Sequence, residues 1–119
     1  MDGHISDVAL NKKISEREII ILGSESESLG FLRFGFFWDS IPFMNMLYIE
    51  KSYRKQGLGK KLVGFWELQM KEQGHSFLMT SSQSDEDAQH FYRKLGYSDA
   101  GSFTPPDEPL ELLFIKRLS

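Results

Sequence analysis

Along the chain, short apolar runs alternate with polar or glycine-containing breaks. Ile5, Val8 and Ala9 fall at i, i+3 and i+4, which predicts a short helix over residues 4–13. Residues 18–22 (EIIIL) are a β-branched run closed by Gly23, and the Ser/Glu stretch 24–28 has the composition of a hairpin turn. The aromatic segment 30–39 (GFLRFGFFWD) predicts a second strand, with Gly35 as a bulge or a point of close approach. Residues 39–42 make the next turn, and the apolar run 43–49 is a third strand. Leu58, Leu62, Trp66 and Met70 then recur every fourth residue, which predicts a helix of about four turns capped by Gly74. Residues 75–80 predict a strand parallel to the third, the arrangement preferred by a strand, crossover helix and strand in one sheet. Ser84 and Asp87 have capping-box spacing ahead of a second helix marked by Ala88, Phe91, Tyr92 and Leu95 and ended by Gly96. Residues 97–104 and 110–118 complete the pattern as a strand pair joined by the proline-rich loop 105–109. The expectation is an α+β fold on a mixed, mostly antiparallel sheet flanked by helices, with residues 1–119 forming one domain.

Composition narrows the function classes. The chain of 119 residues is 40% hydrophobic and 26% charged, ordinary for a soluble globular protein. It contains no Cys, which removes disulfides and thiolate metal sites, and with no apolar N-terminal run a cytoplasmic location is expected. No apolar run is long enough to span a bilayer. A pI near 5.6 argues against a nucleic-acid binder, which is usually basic over a whole face. His4, His75 and His90 show no metal-ligand spacing, so no metal is expected.

Against the net charge of -3, five of the fourteen Lys and Arg residues (Lys51, Arg54, Lys55, Lys60, Lys61) crowd into eleven positions. They surround the one place where a strand runs through a glycine loop directly into a helix. That arrangement gathers unpaired backbone N–H groups and the positive end of a helix dipole, a site for phosphate. The spacing is not that of a P-loop, because Gly59-Lys60 is followed by Lys61 and the position five before Gly59 is Arg54. Nor is it a dinucleotide fingerprint, whose third glycine would fall at Leu62.

Arg54, Gly57 and Gly59 do fit Arg-x-x-Gly-x-Gly, and at this point the sequence resembles the GNAT superfamily of acyl-CoA-dependent N-acyltransferases. A second motif, residues 88–97 (AQHFYRKLGY), is similar to the family's helix that carries a Tyr and ends in Leu-Gly-Phe/Tyr. Together the two motifs and their strands cover residues 18–118. The resemblance implies acetyl-CoA as cosubstrate and an amine as acceptor. It implies that Leu47, Tyr48 and Ile49 align the pantetheine arm and acetyl carbonyl, and that Arg54, Lys55, Gln56, Gly57, Leu58, Gly59 and Lys60 hold the pyrophosphate. It places Tyr92 beside the coenzyme sulfur as the catalytic residue. Attack of an amine on a thioester develops negative charge on oxygen and then on sulfur, so a fixed N–H and a phenol proton stabilise charge that forms only in the transition state.

Three departures from the family pattern bear on mechanism. Thr80 stands where many members place a Glu base, and Asp85 where many have an Asn that contacts the coenzyme arm. Glu50, close in sequence to the acyl site, reads best as a solvated turn carboxylate. Only about seventeen residues precede the first strand, where the family usually has a strand and two helices that wall the acceptor site. Either the acceptor cleft is open or a second copy of the chain closes it, so a homodimer is one expectation. The reading is an acetyl-CoA-dependent N-acetyltransferase working by direct transfer, since no Cys is present as a covalent relay. The alternative is a catalytically silent acyl-CoA-binding regulatory module.

Overall fold

The computed structural model describes residues 18–23 and 27–119. The helix expected over residues 4–13 and positions 24–26 of the turn expected over 24–28 lie outside the described residues, and Ser28 of that turn is already strand. The β-branched run forms β1 (Ile19–Gly23) and the aromatic segment forms β2 (Ser28–Phe37), paired antiparallel with Ile20 opposite Leu32. β3 (Ile41–Ile49) returns antiparallel to β2. Between them Trp38 and Asp39 hold φ of 55° and 58°, and the Ser40 N–H donates to the Phe37 carbonyl at 3.1 Å. Tight hairpins favour such left-handed turns because their twist matches that of the strands. The turn therefore sits earlier than its expected place, and Ile41 and Pro42 are already strand.

The helix α1 (Leu58–Glu72) buries Leu62, Val63, Trp66 and Met70, and Gly74 ends it with φ 94° while the His75 N–H reaches the Met70 carbonyl at 3.1 Å. The chain then enters β4 (Phe77–Gln83), parallel to β3 as expected. β4 runs three residues beyond its expected end because Ser81, Ser82 and Gln83 pair with Leu113, Leu112 and Glu111 of the last strand. That extension displaces the expected capping box. The Ser84 N–H is bound to the Leu110 carbonyl at 2.7 Å, and α2 (Ala88–Lys94) begins with Asp87 at its cap but with no side-chain capping bond. Instead Glu86 accepts from the Gln83 N–H at 3.1 Å, and the Gln89 amide donates to the Ser84 and Glu86 carbonyls at 2.8 and 3.0 Å. Gly96, at φ 96°, turns the chain into β5 (Ser98–Phe103), which pairs antiparallel with β6 (Glu111–Arg117).

The described strands form one six-stranded sheet in the order β1-β2-β3-β4-β6-β5, in which only β3 and β4 are parallel. The sequence expectation of a mixed, mostly antiparallel α+β sheet holds. Phe34, Met44, Thr80 and Phe114 are lateral neighbours across four strands, and none is more than 2% exposed. Lateral neighbours share a face. Trp66 of α1 packs on that row at Phe34 (ring centres 5.8 Å apart) and Tyr92 of α2 packs on it at Phe114 (6.0 Å), so both helices cover one side of the sheet.

Candidate active site

The parallel contact between β3 and β4 is two residue pairs long, Phe43 with Met79 and Met44 with Thr80. Immediately after it, the register of β3 against β2 slips between Met44 and Met46, leaving Asn45 as an extra residue on β3. A bulge of this kind bends its strand, and here it falls where β3 parts from β4. Beyond the bulge the Glu50 N–H donates to the Leu29 carbonyl at 2.7 Å. Backbone groups alternate sides along an antiparallel strand, so Tyr48 also faces β2 while Leu47 and Ile49 turn their N–H and C=O toward the opening. The Ile49 carbonyl accepts from Arg54 Nε at 2.8 Å, and the Arg54 guanidinium lies over the Tyr48 ring at 5.6 Å.

A single 3₁₀ turn, Lys51–Tyr53, leads into the glycine loop. Lys55 and Gly57 both hold left-handed backbone, at φ 64° and 80°. The first helical bond of α1 runs from the Lys61 N–H to the Gly57 carbonyl at 3.1 Å, so the N–H groups of Leu58, Gly59 and Lys60 have no helical acceptor. Gly57 offers no capping oxygen and the first turn contains no acid. Lys60 stands there instead, against the usual preference for negative charge at a helix N-terminus. An anion supplied from outside would satisfy both the donors and the charge. The two glycines meet different demands. Gly57 has open space around its Cα and carries the left-handed turn, whereas a Cβ on Gly59 would stand 3.4 Å from Phe91 Cζ and 3.8 Å from Leu47 Cδ2. Gly59 is thus where α1 approaches both α2 and β3.

A groove of about 420 Å³ joins these parts. Leu47, Tyr48 and Ile49 form one wall; Arg54, Lys55, Gly57, Leu58, Gly59 and Lys60 form the basic end; Ala88, Phe91 and Tyr92 face them from α2, with Tyr53 at the margin. Of the residues that the family resemblance assigned to coenzyme contact or catalysis, the structure brings together in this groove all but Gln56 and Asp85. Both of those are exposed, Gln56 in the glycine loop and Asp85 in the turn before α2, and neither lines the groove. Ala88 and Phe91 share the helical spacing of Tyr92 but read from sequence as packing positions. Tyr53 carried no signal at all, because the partner of its hydroxyl, Glu27 at 3.0 Å, is 26 residues away.

Tyr92 is 7% exposed, and burial raises its pKa above the ordinary phenol value. The neighbouring Thr80 side chain opposes the rise and the charge of Glu86 adds to it. At neutral pH the group is a phenol with a proton to give. Thr80, 1% exposed, donates its own proton to the Met44 carbonyl at 3.0 Å, so the position of the family's Glu holds a buried hydroxyl and not a base. Among the described residues no carboxylate lines the groove, and Glu50 lies outside it. Among the described residues no group of His, Asp and Glu could hold a metal ion, and no helix is long and apolar enough to cross a membrane.

A basic helix start, an opened strand edge and a buried phenol thus line one groove, and its basic end suits a polyanionic ligand. Residues 15–99 match the model of the acetyltransferase (GNAT) domain, and the chain belongs to that family. Its fold is similar to that of a protein from Desulfovibrio desulfuricans provisionally described as a GNAT-family acetyltransferase (TM-score 0.82, 9% identity, 97% of this chain and 80% of that one). Ard1 from Thermoplasma volcanium is also similar (TM-score 0.80, 15% identity, 94% and 77% covered). So is a protein from Bacillus anthracis provisionally described as a streptothricin acetyltransferase and solved with acetyl coenzyme A (TM-score 0.74, 20% identity, 83% and 61% covered). No curated protein matches the sequence.

Proposed function

We propose that this chain transfers the acetyl group of acetyl-CoA to a primary amine by direct attack within a ternary complex. The observation that carries the reading is the single groove whose parts answer to the cosubstrate from one end to the other. The unpartnered N–H groups of Leu58, Gly59 and Lys60, with Arg54 and Lys55, suit the pyrophosphate. The exposed backbone edge of Leu47 and Ile49 suits the pantetheine arm, and Leu47 supplies an N–H for the acetyl oxygen as it becomes an oxyanion. The amine adds to the thioester carbon as the carbonyl electrons move onto oxygen, the oxyanion collapses and breaks the C–S bond, Tyr92 gives its proton to the leaving thiolate and is reprotonated from solvent, and water takes the proton lost by the amine. With no Cys in the chain, no thiol is available for a covalent acyl-enzyme, which favours the direct route.

One observation favours the second reading, a silent acyl-CoA-binding module: among the described residues no carboxylate lines the groove to act as base. Free-thiol release from acetyl-CoA in the presence of a panel of small amines, polyamines and peptides, with mass detection of the product, separates the two. Amine-dependent release with an acetylated product supports the enzyme. Tight acetyl-CoA binding with no release across the panel supports the module.

A further inference from the structure

Away from the groove, Lys116, Glu67 and Tyr97 meet where β6, α1 and the end of α2 come together. Lys116 Nζ donates to Glu67 Oε1 at 2.9 Å and to the Leu95 carbonyl at 2.7 Å, and the Tyr97 hydroxyl donates to Glu67 Oε2 at 2.8 Å. The Lys116 and Glu67 side chains are 25% and 17% exposed, and Tyr97 is 3% exposed. Both carboxylate oxygens are occupied, and the ammonium also lies 5.5 Å from the centre of the Tyr97 ring.

An ion pair this far from water is a weak source of net stability, because desolvation offsets much of the attraction. What it does supply is geometry. α2 spans seven residues, too few to be stable through its own hydrogen bonds, so its placement must come from outside. Leu95 is its C-cap, the end at which a cation complements the helix dipole. The ammonium that binds there is held by Glu67 of α1, the helix whose first turn forms the basic end of the groove. Tyr97 closes the loop back to the site: its N–H donates to the Tyr92 carbonyl at 3.1 Å, and the two rings are 5.9 Å apart.

We propose that Lys116 is a positioning residue, which fixes the Tyr92 hydroxyl relative to the anion-binding start of α1 by holding Glu67 of α1 and the Leu95 carbonyl of α2 at one point. The proposal rests on the reading of Tyr92 as the proton donor to the coenzyme sulfur. Displacing a positioned group by about 1 Å can cost about a hundredfold in rate. Coenzyme affinity, set mainly at the glycine loop, changes little.

The test needs no acceptor. Protein labelled with ¹³C at tyrosine Cζ contains four tyrosines, and the Tyr92 resonance is assigned by its loss in Tyr92→Phe. Coenzyme A, the probe, should shift that resonance in the unaltered protein. Lys116→Met should abolish the shift while the Kd for coenzyme A stays within about twofold. Lys116→Arg, which keeps the charge and the donors, should restore it. A full shift in folded Lys116→Met overturns the proposal. A Tyr92 resonance that ignores coenzyme A in the unaltered protein overturns the reading of Tyr92 itself, and the positioning role with it. Should Lys116→Met not fold, Glu67→Gln/Lys116→Met takes its place, since it leaves no buried charge unpaired. Loss of the shift in that variant supports the proposal, and a full shift overturns it.

Discussion

Gly59→Asp should move folding stability and coenzyme affinity in opposite directions. The backbone of Gly59 is ordinary helix, and an added Cβ would stand 3.4 Å from Phe91 and 3.8 Å from Leu47, normal contact distances. The substitution is therefore sterically acceptable and aims a carboxylate into the groove. In the free protein this places negative charge in a first turn that has no acid, beside Lys60 and Lys61. A charge so placed is worth about 0.3–1 kcal/mol, and Asp is a slightly better helix former than Gly. Together these raise Tm by about 2–4 °C for a domain of this size. With coenzyme A the same carboxylate meets the pyrophosphate. At about 4 Å one pair of like charges costs about 1 kcal/mol even at the dielectric constant of water. Two phosphate charges therefore weaken binding by at least about 2 kcal/mol, about thirtyfold in Kd. Thermal unfolding of the free protein and calorimetric titration with coenzyme A measure the two effects separately. Unchanged affinity in a folded Gly59→Asp variant would refute the assignment of the pyrophosphate to this helix start.

Other perturbations test the remaining parts of the site. Tyr92→Phe keeps the packing against Tyr97 and Phe114 but removes the proton, so kcat should fall about a hundred- to ten-thousandfold with coenzyme affinity preserved; full activity would exclude the acid role. With Thr80 committed to the Met44 carbonyl, rate at low amine concentration should rise with pH in proportion to free amine, and Glu50→Gln should change it by less than about tenfold. A loss well beyond tenfold in folded Glu50→Gln would instead identify Glu50 as the base. Burial raises the phenol pKa of both Tyr92 and Tyr97, and for Tyr97 the Glu67 charge and hydrogen bond raise it further. Above the unfolded phenol pKa of about 10, the unfolded chain releases protons that the folded chain retains, so stability is full below that pH and declines above it. Urea unfolding from about pH 8 to about pH 11 should show that decline, and Tyr97→Phe should make it shallower; an equally steep decline in the variant would count against the linkage.

Much of the site was legible because its causes are local. The glycine loop around Gly57 and Gly59, the four-residue recurrence from Leu58 to Met70, the stop at Gly74 and the crowding of Lys and Arg around the loop each depend on a few neighbouring residues. The placement of Tyr92 on a helix ended by Gly96 was local in the same sense. The strand–loop–helix unit and its charge could therefore be read from the chain alone. What the tertiary structure decided depends on pairings between distant residues. β4 continues to Gln83 because its backbone finds partners in β6, about thirty residues on, and this removes Ser84 from the capping position that its spacing suggested. The opening between β3 and β4 arises from the unpaired Asn45, a register slip that no local pattern announces, since a bulge is defined only by the strand opposite. Gln56 sits among residues that reach the groove and Asp85 just ahead of the helix that does, yet neither reaches it, because the direction of an exposed loop residue follows from how its loop docks. The protonation of Tyr92 and the meeting of Lys116 with Glu67, 49 residues apart, likewise exist only once the sheet and both helices are packed, because burial and ion pairing are properties of the surroundings and not of the residue.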